Sequence, residues 1–218
     1  MDKSTALKRI LDCGVIAIFR AASPVGLVEA AEAIVAGGVA AVEFTFTTPD
    51  ARRLIGATRE RLGERALVGA GTILHVADAR AALKAGAQFI VMPTFDRGVI
   101  DAAQRADIPV MPGAFTPTEI LTAWECGADL VKLFPASVGG PTYLQAILAP
   151  LAEVRLVPTG GVSTANAREY IRAGAAALAV GGSLADRAAI AAREFHRLTE
   201  VAHELVAAVQ QARAEKRQ

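Results

Sequence analysis

Cysteine, net charge and long apolar runs are all scarce in this sequence, and each shortage excludes a class of protein. The two cysteines, Cys13 and Cys126, are too few for a disulfide framework, which fits a reducing cytoplasm. A formal net charge of +1 gives no indication of binding to nucleic acid or to an anionic membrane. No apolar run has the length of a signal-peptide core or of a bilayer span. We therefore expect a cytoplasmic protein that binds neither membrane nor nucleic acid.

The sequence is also poor in histidine. His75, His196 and His203 show no metal-ligand spacing, and the last two fall on a predicted C-terminal helix. We expect no metal and no other cofactor.

Short apolar segments alternate with helical patterns along all 218 residues. These segments lack the polar–apolar alternation of a half-exposed sheet, which is typical of parallel strands covered by helices on the outside. The predicted strands are Val15–Phe19, Ala40–Thr45, Ala66–Gly69, Gln88–Met92, Pro109–Met111, Asp129–Phe134, Val154–Val157 and Ala177–Val180.

A weak repeat supports a closed barrel. Glycines at Gly38, Gly86, Gly127 and Gly174 each end a helix just before a strand, and each interval holds two strand–helix units. Eight nearly even units predict a single α/β domain, a (β/α)8 TIM barrel over residues 1–218. An open doubly wound sheet is the alternative.

Helical patterns fill the gaps between strands and extend beyond them. Pro24–Ala36, with proline in its first turn, and Thr118–Cys126, with Glu119 in its first turn, are examples inside the repeat. An extra N-terminal helix, Ser4–Leu11, would plug the bottom of the barrel or lie beside it. A long C-terminal helix, Ala191–Arg213, should pack its apolar stripe on the barrel wall.

Glu43 and Lys132 are charged residues within two predicted strands that are mostly apolar. Side chains alternate along a strand, so Glu43 should share a face with Ala41, opposite the bulky Phe44, and point into the barrel. The same alternation places Lys132 inside, with Leu130. A buried Glu43–Lys132 ion pair would be a structural explanation. A nucleophilic amine beside an acid/base is the functional one.

Other polar or flexible residues follow the strands, at the end of a barrel where active sites lie. Arg20 could bind a carboxylate or form a salt bridge at the rim. The segment 69–72 is a glycine-rich loop that brings Thr72 toward a substrate, or a plain turn. The glycine pairs 160–161 and 181–182 follow strands seven and eight, where barrels bind phosphate, although each could be a tight turn. Ser183 could contact that phosphate or cap the next helix.

Taken together, these residues resemble the 2-dehydro-3-deoxy-phosphogluconate/phosphogalactonate aldolase family, whose members are class I, Schiff-base-forming enzymes. The resemblance runs from about Val15 to Leu184. It is carried, in order, by eight segments: 16–20 (IAIFR), 42–49 (VEFTFTTP), 69–72 (GAGT), 111–113 (MPG), 116–119 (TPTE), 131–135 (VKLFP), 158–162 (PTGGV) and 180–183 (VGGS).

By resemblance, Lys132 is the imine-forming lysine and Glu43 the acid/base that moves protons through a water. Many members carry an arginine where this chain has Thr47; a subgroup closer to this chain supplies the arginine after strand one, here Arg20. The resemblance assigns substrate binding to Arg20, Thr45, Thr72, Pro93, Phe134 and Thr159, and phosphate binding to Gly160, Gly161, Gly181, Gly182 and Ser183.

The resemblance implies cleavage of 2-dehydro-3-deoxy-6-phosphogluconate, a phosphorylated 2-keto-3-deoxy sugar acid, into pyruvate and D-glyceraldehyde 3-phosphate. This is a lyase reaction of carbohydrate metabolism of the Entner–Doudoroff type. The galactonate epimer and 4-hydroxy-2-oxoglutarate are alternative substrates, and Thr159 is more typical of gluconate-type members. A phosphate-binding isomerase or epimerase, or an assembly scaffold, are further alternatives. The family also implies a homotrimer, which small side chains on alanine-rich helices would allow.

Overall fold

The computed structural model describes residues 1–215, so the last three residues of the predicted 1–218 domain lie outside the described part. Strands and helices alternate as the sequence predicts. The strands are β1 (Val15–Phe19), β2 (Ala41–Thr45), β3 (Leu67–Gly71), β4 (Ile90–Val91), β5 (Val110–Met111), β6 (Gly113–Ala114), β7 (Val131–Leu133), β8 (Leu156–Pro158) and β9 (Leu178–Val180). The helices are α1 (Lys3–Cys13), α2 (Leu27–Ala36), α3 (Ala51–Leu62), α4 (Val76–Lys84), α5 (Arg97–Arg105), α6 (Pro117–Glu125), α7 (Gly140–Leu148), α8 (Ala167–Arg172), α9 (Arg187–Ala191) and α10 (Phe195–Glu215).

The strands form a closed parallel barrel. One run of paired strands has the order β5-β4-β3-β2-β1-β9 and the other the order β6-β7-β8. β5 and β6 are two pieces of the fifth barrel strand, separated by Pro112, which has no N–H to donate but accepts the Lys132 N–H at 2.9 Å. A bridge between Thr159 and Ala179 joins β8 to β9. The predicted (β/α)8 barrel is confirmed, and the alternative of an open doubly wound sheet is wrong.

The third strand is longer than the sequence predicts. β3 continues through Gly71, so most of the predicted glycine-rich loop 69–72 is strand. A Cβ on Gly69 would lie 2.5 Å from the ring of Phe89, so glycine here makes room for an aromatic side chain inside the barrel. Glycine in this strand therefore reflects packing and not a turn.

Side chains alternate between two separate buried layers. Ala41 and Leu130 lie inside the barrel, whereas Val42 and Phe44 lie in the layer between strands and helices, as predicted. Ala6 and Ile10 of α1 are buried in the inner cluster. The N-terminal helix therefore plugs the barrel at the end where the strands begin, the first of the two predicted positions.

Two predicted helix starts are wrong. The predicted C-terminal helix Ala191–Arg213 is broken, because Arg193 adopts the left-handed conformation with φ 58° and α10 begins only at Phe195. The helix predicted from Pro24 begins at Leu27, since Gly26 turns the chain with φ 77°. α10 packs on α2 and α8, as expected for the barrel wall. Within residues 1–215, no helix combines the length and apolarity needed to cross a membrane.

Candidate active site

A cavity of about 350 Å³ opens at the carboxyl ends of β1, β7, β8 and β9. Its wall contains three basic side chains and several glycines, and no aspartate or glutamate. The lining residues are Ile18, Arg20, Lys132, Phe134, Thr159, Gly160, Gly161, Val162, Ser163, Gly181, Gly182, Ser183, Ala185 and Arg187. The structure thus brings nine of the thirteen predicted site residues into one cavity wall.

Glu43 and Lys132 are both buried inside the barrel. Their exposed fractions are 1% and 3%. Neither carboxylate oxygen of Glu43 has a hydrogen-bond partner among the described residues. Residues 1–215 therefore contain no hydrogen-bonded Glu43–Lys132 ion pair, and the purely structural alternative loses its basis. An unpartnered buried carboxyl is costly and is more typical of a functional site.

Burial shifts the pKa of each group in the direction that favours its neutral form. It raises the pKa of Glu43 from its ordinary value of 4.5 to about 7, against the opposing positive charges of Lys132 and Arg20. It lowers the pKa of Lys132; Arg20 adds to that decrease and Glu43 opposes it. The Lys132 amine also lies 5.0 Å from the centre of the Phe134 ring. The site therefore favours a neutral amine beside a carboxyl that exchanges protons near neutral pH.

Arg20, which lines the cavity, forms a hydrogen bond with Thr72 although the two residues are far apart in sequence. Arg20 Nη2 donates to Thr72 Oγ1 at 3.3 Å. Thr72 follows the last residue of β3 with φ 57°, a turn that brings its hydroxyl to the guanidinium. The predicted rim salt bridge of Arg20 is absent from the described residues, in which its side chain bonds to this hydroxyl.

Four predicted site residues lie outside the cavity wall: Glu43 and Thr72, described above, and Thr45 and Pro93. Thr45 is buried, and its hydroxyl donates to the carbonyl of Phe19 at 3.2 Å and lies within hydrogen-bond distance of Thr47 and Thr48. It ties the end of β2 to β1. The carbonyl of Pro93 occupies the space of a missing side chain at Gly113, so this residue packs against β6.

The two glycine pairs form adjacent loops. Gly160 and Gly161 have φ values of 91° and 76°, which other residues rarely adopt. Within residues 1–215, their backbone N–H groups and those of Val162, Gly182 and Ser183 donate to no protein acceptor. These loops present a set of unused donors to the cavity that they line.

Side chains hold these two loops in place. The amide nitrogen of Asn166 donates to the carbonyl of Gly161 at 2.8 Å, and its oxygen accepts the Ser163 N–H at 2.9 Å. The hydroxyl of Ser183 donates to the carbonyl of Val162 at 2.6 Å and so links the loops. The predicted helix-capping role of Ser183 is wrong, because Asp186 caps α9 by accepting the Ala189 N–H.

Sequence reasoning missed five lining residues, of which Arg187 has the most distinctive chemistry. It is exposed and begins α9, four residues beyond Ser183. The sequence feature that could have identified Arg187 is a basic residue in the segment that follows the second glycine pair. Among residues 1–215, no cluster of three or more histidine, cysteine or acidic side chains could hold a metal ion.

Comparisons with known proteins match nearly the whole chain. A family model described as KDPG and KHG aldolase matches residues 7–201. A 2-dehydro-3-deoxy-phosphogluconate aldolase from Treponema pallidum (strain Nichols) is 38% identical over 201 residues, 91% of this chain and 93% of the relative. A KHG/KDPG aldolase from Escherichia coli (strain K12) is 40% identical over 178 residues, 81% and 83% of the two chains. A solved KDPG aldolase from Legionella pneumophila, with pyruvate captured at low pH as a covalent carbinolamine intermediate, has a TM-score of 0.82 at 27% identity and covers 92% of this chain and 97% of that one.

Proposed function

Because the chain belongs to the KDPG and KHG aldolase family and is therefore a carbon–carbon lyase, we propose that it cleaves 2-dehydro-3-deoxy-6-phosphogluconate into pyruvate and D-glyceraldehyde 3-phosphate. The observation that carries this proposal is the buried Lys132 amine beside the unpartnered Glu43 carboxyl. Membership of this aldolase family argues against an isomerase or an epimerase. A barrel of the family that serves as an assembly scaffold remains an alternative, and release of pyruvate from the sugar acid tests it.

The environment of Lys132 supports its role as the nucleophile. At an ordinary pKa of ~10.4, about one lysine amine in ~2,500 is neutral at pH 7. Burial lowers the pKa of Lys132 and so enlarges the neutral fraction. The neutral amine attacks the C2 ketone of the substrate to give a carbinolamine, which loses water to form a protonated imine.

The imine then makes the carbon–carbon bond cleavable. Glu43, whose carboxyl has a pKa of about 7, accepts the proton of the C4 hydroxyl through a water. As the C4–O bond becomes a carbonyl, the C3–C4 bond breaks and its electron pair moves into the imine, giving an enamine and free aldehyde. Glu43 returns a proton to C3, and hydrolysis of the new imine releases pyruvate and restores the amine.

Other residues in and beside the cavity wall bind the two ends of the substrate. Arg20 and Thr72 bind the carboxylate, since a guanidinium and a hydroxyl together offer charge-assisted hydrogen bonds. The glycine loops bind the phosphate with their unused N–H groups. Phe134 and Thr159 contact the chain between these ends, since both line the cavity that contains Lys132.

A second candidate substrate is 4-hydroxy-2-oxoglutarate, because one relative is named KHG/KDPG aldolase. It would use the same Lys132 and Glu43 chemistry but carries no phosphate for the glycine loops. The galactonate epimer differs from the first substrate only in configuration and is a third. Comparing turnover of the three substrates by the release of pyruvate separates these possibilities.

We propose further that the chain is one domain, acts in the cytoplasm and assembles as a homotrimer. Closed cyclic symmetry is the usual form of such an assembly. Alanine is abundant on the helices, and small side chains allow neighbouring subunits to approach closely.

The direct test of the mechanism is incubation with pyruvate and borohydride, followed by peptide mapping. We expect reduction of an imine on Lys132, and we expect Lys132→Ala to lose both the adduct and pyruvate release from the sugar acid. Lys84 of α4 is the control position, because Lys84→Ala should retain both. An adduct on Lys84 in the wild-type protein would refute the assignment.

A further inference from the structure

Arg187 is a cation of the cavity that the mechanism above does not use. It lines the same wall as the two glycine loops. It also borders a neighbouring, largely apolar cavity, whose other lining residues are 21–23, 25–27, 190, 191 and 193. Its side chain is exposed and, within residues 1–215, takes part in no hydrogen bond or ion pair. Its guanidinium is thus available to a ligand.

The neighbouring charged groups are already engaged. Arg20 donates to Thr72, Arg193 pairs with Glu29 at 3.5 Å, and Arg197 pairs with Glu194 at 2.6 Å. The carboxylate next to Arg187, that of Asp186, accepts the Ala189 N–H at 2.7 Å. The cavity wall contains no acidic residue, and Arg187 forms no ion pair within residues 1–215.

The donors of the glycine loops are neutral, whereas a phosphate monoester carries up to two negative charges. Ser183, which could have added a hydroxyl proton, donates to the carbonyl of Val162 instead. A guanidinium at the edge of these loops would supply the missing positive charge and could bind two phosphate oxygens at once.

We propose that Arg187 is a substrate-binding residue that clamps the phosphate end of the substrate and makes the enzyme prefer phosphorylated over unphosphorylated sugar acids. The inference rests on the proposed function for its assignment of the glycine loops to phosphate. It concerns affinity and specificity, because Arg187 lies at the phosphate end and not at the reacting carbons.

The test measures binding without requiring turnover. Glycerol 3-phosphate is titrated into the wild-type protein and into Arg187→Gln, Arg187→Lys and Arg168→Gln, with glycerol as the unphosphorylated counterpart. Arg168 of α8 is the matched control, since it is an exposed arginine outside the cavity wall. We expect Arg187→Gln to weaken glycerol 3-phosphate binding about tenfold, as loss of an exposed charge-assisted contact implies. The affinity of Arg187→Lys should lie between those of the wild-type protein and Arg187→Gln. Lysine keeps the positive charge but lacks the planar guanidinium that can bind two phosphate oxygens at once.

In turnover, Arg187→Gln should raise the KM of the phosphorylated substrate far more than it changes kcat. The same KM effect should be missing with unphosphorylated 2-dehydro-3-deoxygluconate. Thermal melting checks that each variant is folded. If Arg187→Gln does not fold, the affinity of Arg187→Lys for glycerol 3-phosphate tests the proposal in its place.

Three outcomes would overturn the inference: wild-type protein that prefers glycerol 3-phosphate no more than glycerol, a change below about twofold in Arg187→Gln, or an equal loss in Arg168→Gln. A wild-type protein that binds glycerol 3-phosphate through Arg187 but cleaves no phosphorylated sugar acid would refute the proposed function alone.

Discussion

The carboxylate of Glu43 on β2 occupies the space that a side chain at Gly71 on β3 would fill. A Cβ built on Gly71 would contact Oε1 of Glu43 directly and lie 2.8 Å from its carboxyl carbon. The two residues lie on neighbouring strands, in which Glu43 pairs with Gly69 and Thr45 with Gly71. The position of the proposed proton-transfer group is therefore fixed partly by the absence of a side chain on the next strand.

Gly71→Ala should lower turnover without unfolding the protein. The added methyl would push the Glu43 carboxylate away, and a shift of about 1 Å can reduce turnover ~10²-fold. Gly56→Ala is the matched control, because a Cβ at Gly56 of α3 would meet only a carbonyl oxygen at 3.8 Å. The kcat of each variant, with its melting temperature, checks the prediction; equal kcat values in the two would contradict it.

Glu43→Gln should reduce turnover by ~10²–10⁴-fold, the usual contribution of a positioned acid/base. Glutamine keeps the shape but cannot accept the proton from the C4 hydroxyl. Since burial raises the pKa of Glu43 to about 7, the wild-type kcat should fall as the pH drops below that value, and the variant should lack this limb. Rate–pH profiles of both proteins provide the measurement. A variant with near-normal turnover would show that Glu43 has another role.

The same pKa predicts how folding stability depends on pH. Between its ordinary pKa of 4.5 and about 7, Glu43 keeps its proton in the folded state and releases it in the unfolded state. The wild-type free energy of unfolding should therefore fall as the pH rises through this window. At ~1.36 kcal/mol per pKa unit, the loss is about 3 kcal/mol.

Urea unfolding of the wild-type protein and Glu43→Gln at pH 5 and pH 8 measures that effect. The free-energy cost of burying the glutamine amide does not depend on pH, so it cancels when the stability differences at pH 5 and pH 8 are compared. The stability of the variant relative to the wild-type protein should rise from pH 5 to pH 8. A constant difference would mean that Glu43 titrates near its ordinary pKa.

Gly182→Val should raise the KM of the phosphorylated substrate. A Cβ at Gly182 would meet no protein atom within 4 Å, so the new side chain would project into open space beside the proposed phosphate site. Pyruvate trapping by borohydride serves as the separate readout of Lys132, since pyruvate has no phosphate. Equal loss of trapping and turnover would point to a general defect instead.

Gly161 is a less informative position for that test. It has φ 76°, and a Cβ there would lie 2.7 Å from the Cβ of Ser137. A side chain would strain the backbone by about 1–3 kcal/mol before any effect on the ligand.

Light scattering at micromolar protein should give a mass about three times the 22.6 kDa of one chain. Closed symmetry makes the trimer a discrete species, so the mass should not increase further with concentration. A fully active species of the monomer mass would contradict the proposed trimer and leave the imine mechanism untouched.

For β2 and β7, which carry Glu43 and Lys132, the face that points into the barrel could be predicted from the sequence because side chains alternate along a strand. This rule places Glu43 beside Ala41 and Lys132 beside Leu130, inside the barrel, and needs no knowledge of neighbouring strands. The glycines of β3 could not be interpreted in the same way. Gly69 and Gly71 have the sequence signature of a loop, yet they are strand residues whose missing side chains make room for groups on other strands.

Helix ends and the cavity rim were also beyond sequence reasoning. Residues 191–193 are good helix formers, but Arg193 adopts a left-handed conformation and pairs with Glu29 of α2, a contact that only the tertiary structure creates. Arg187 was missed for a related reason. An exposed arginine is ordinary in any sequence, and its significance comes from the loops that the fold places next to it.

The pairing of β1 with β9 also has a consequence for how the chain folds. Val15 lies opposite Leu178, so the first strand to leave the ribosome finds one of its two neighbours only after most of the chain has been made. Contacts between such distant residues slow folding, and an unpaired strand edge is prone to pairing with other chains in the meantime. We therefore expect the barrel to close late in folding. Truncated or stalled chains that lack β9 cannot close it, and we expect them to be the species most prone to aggregation.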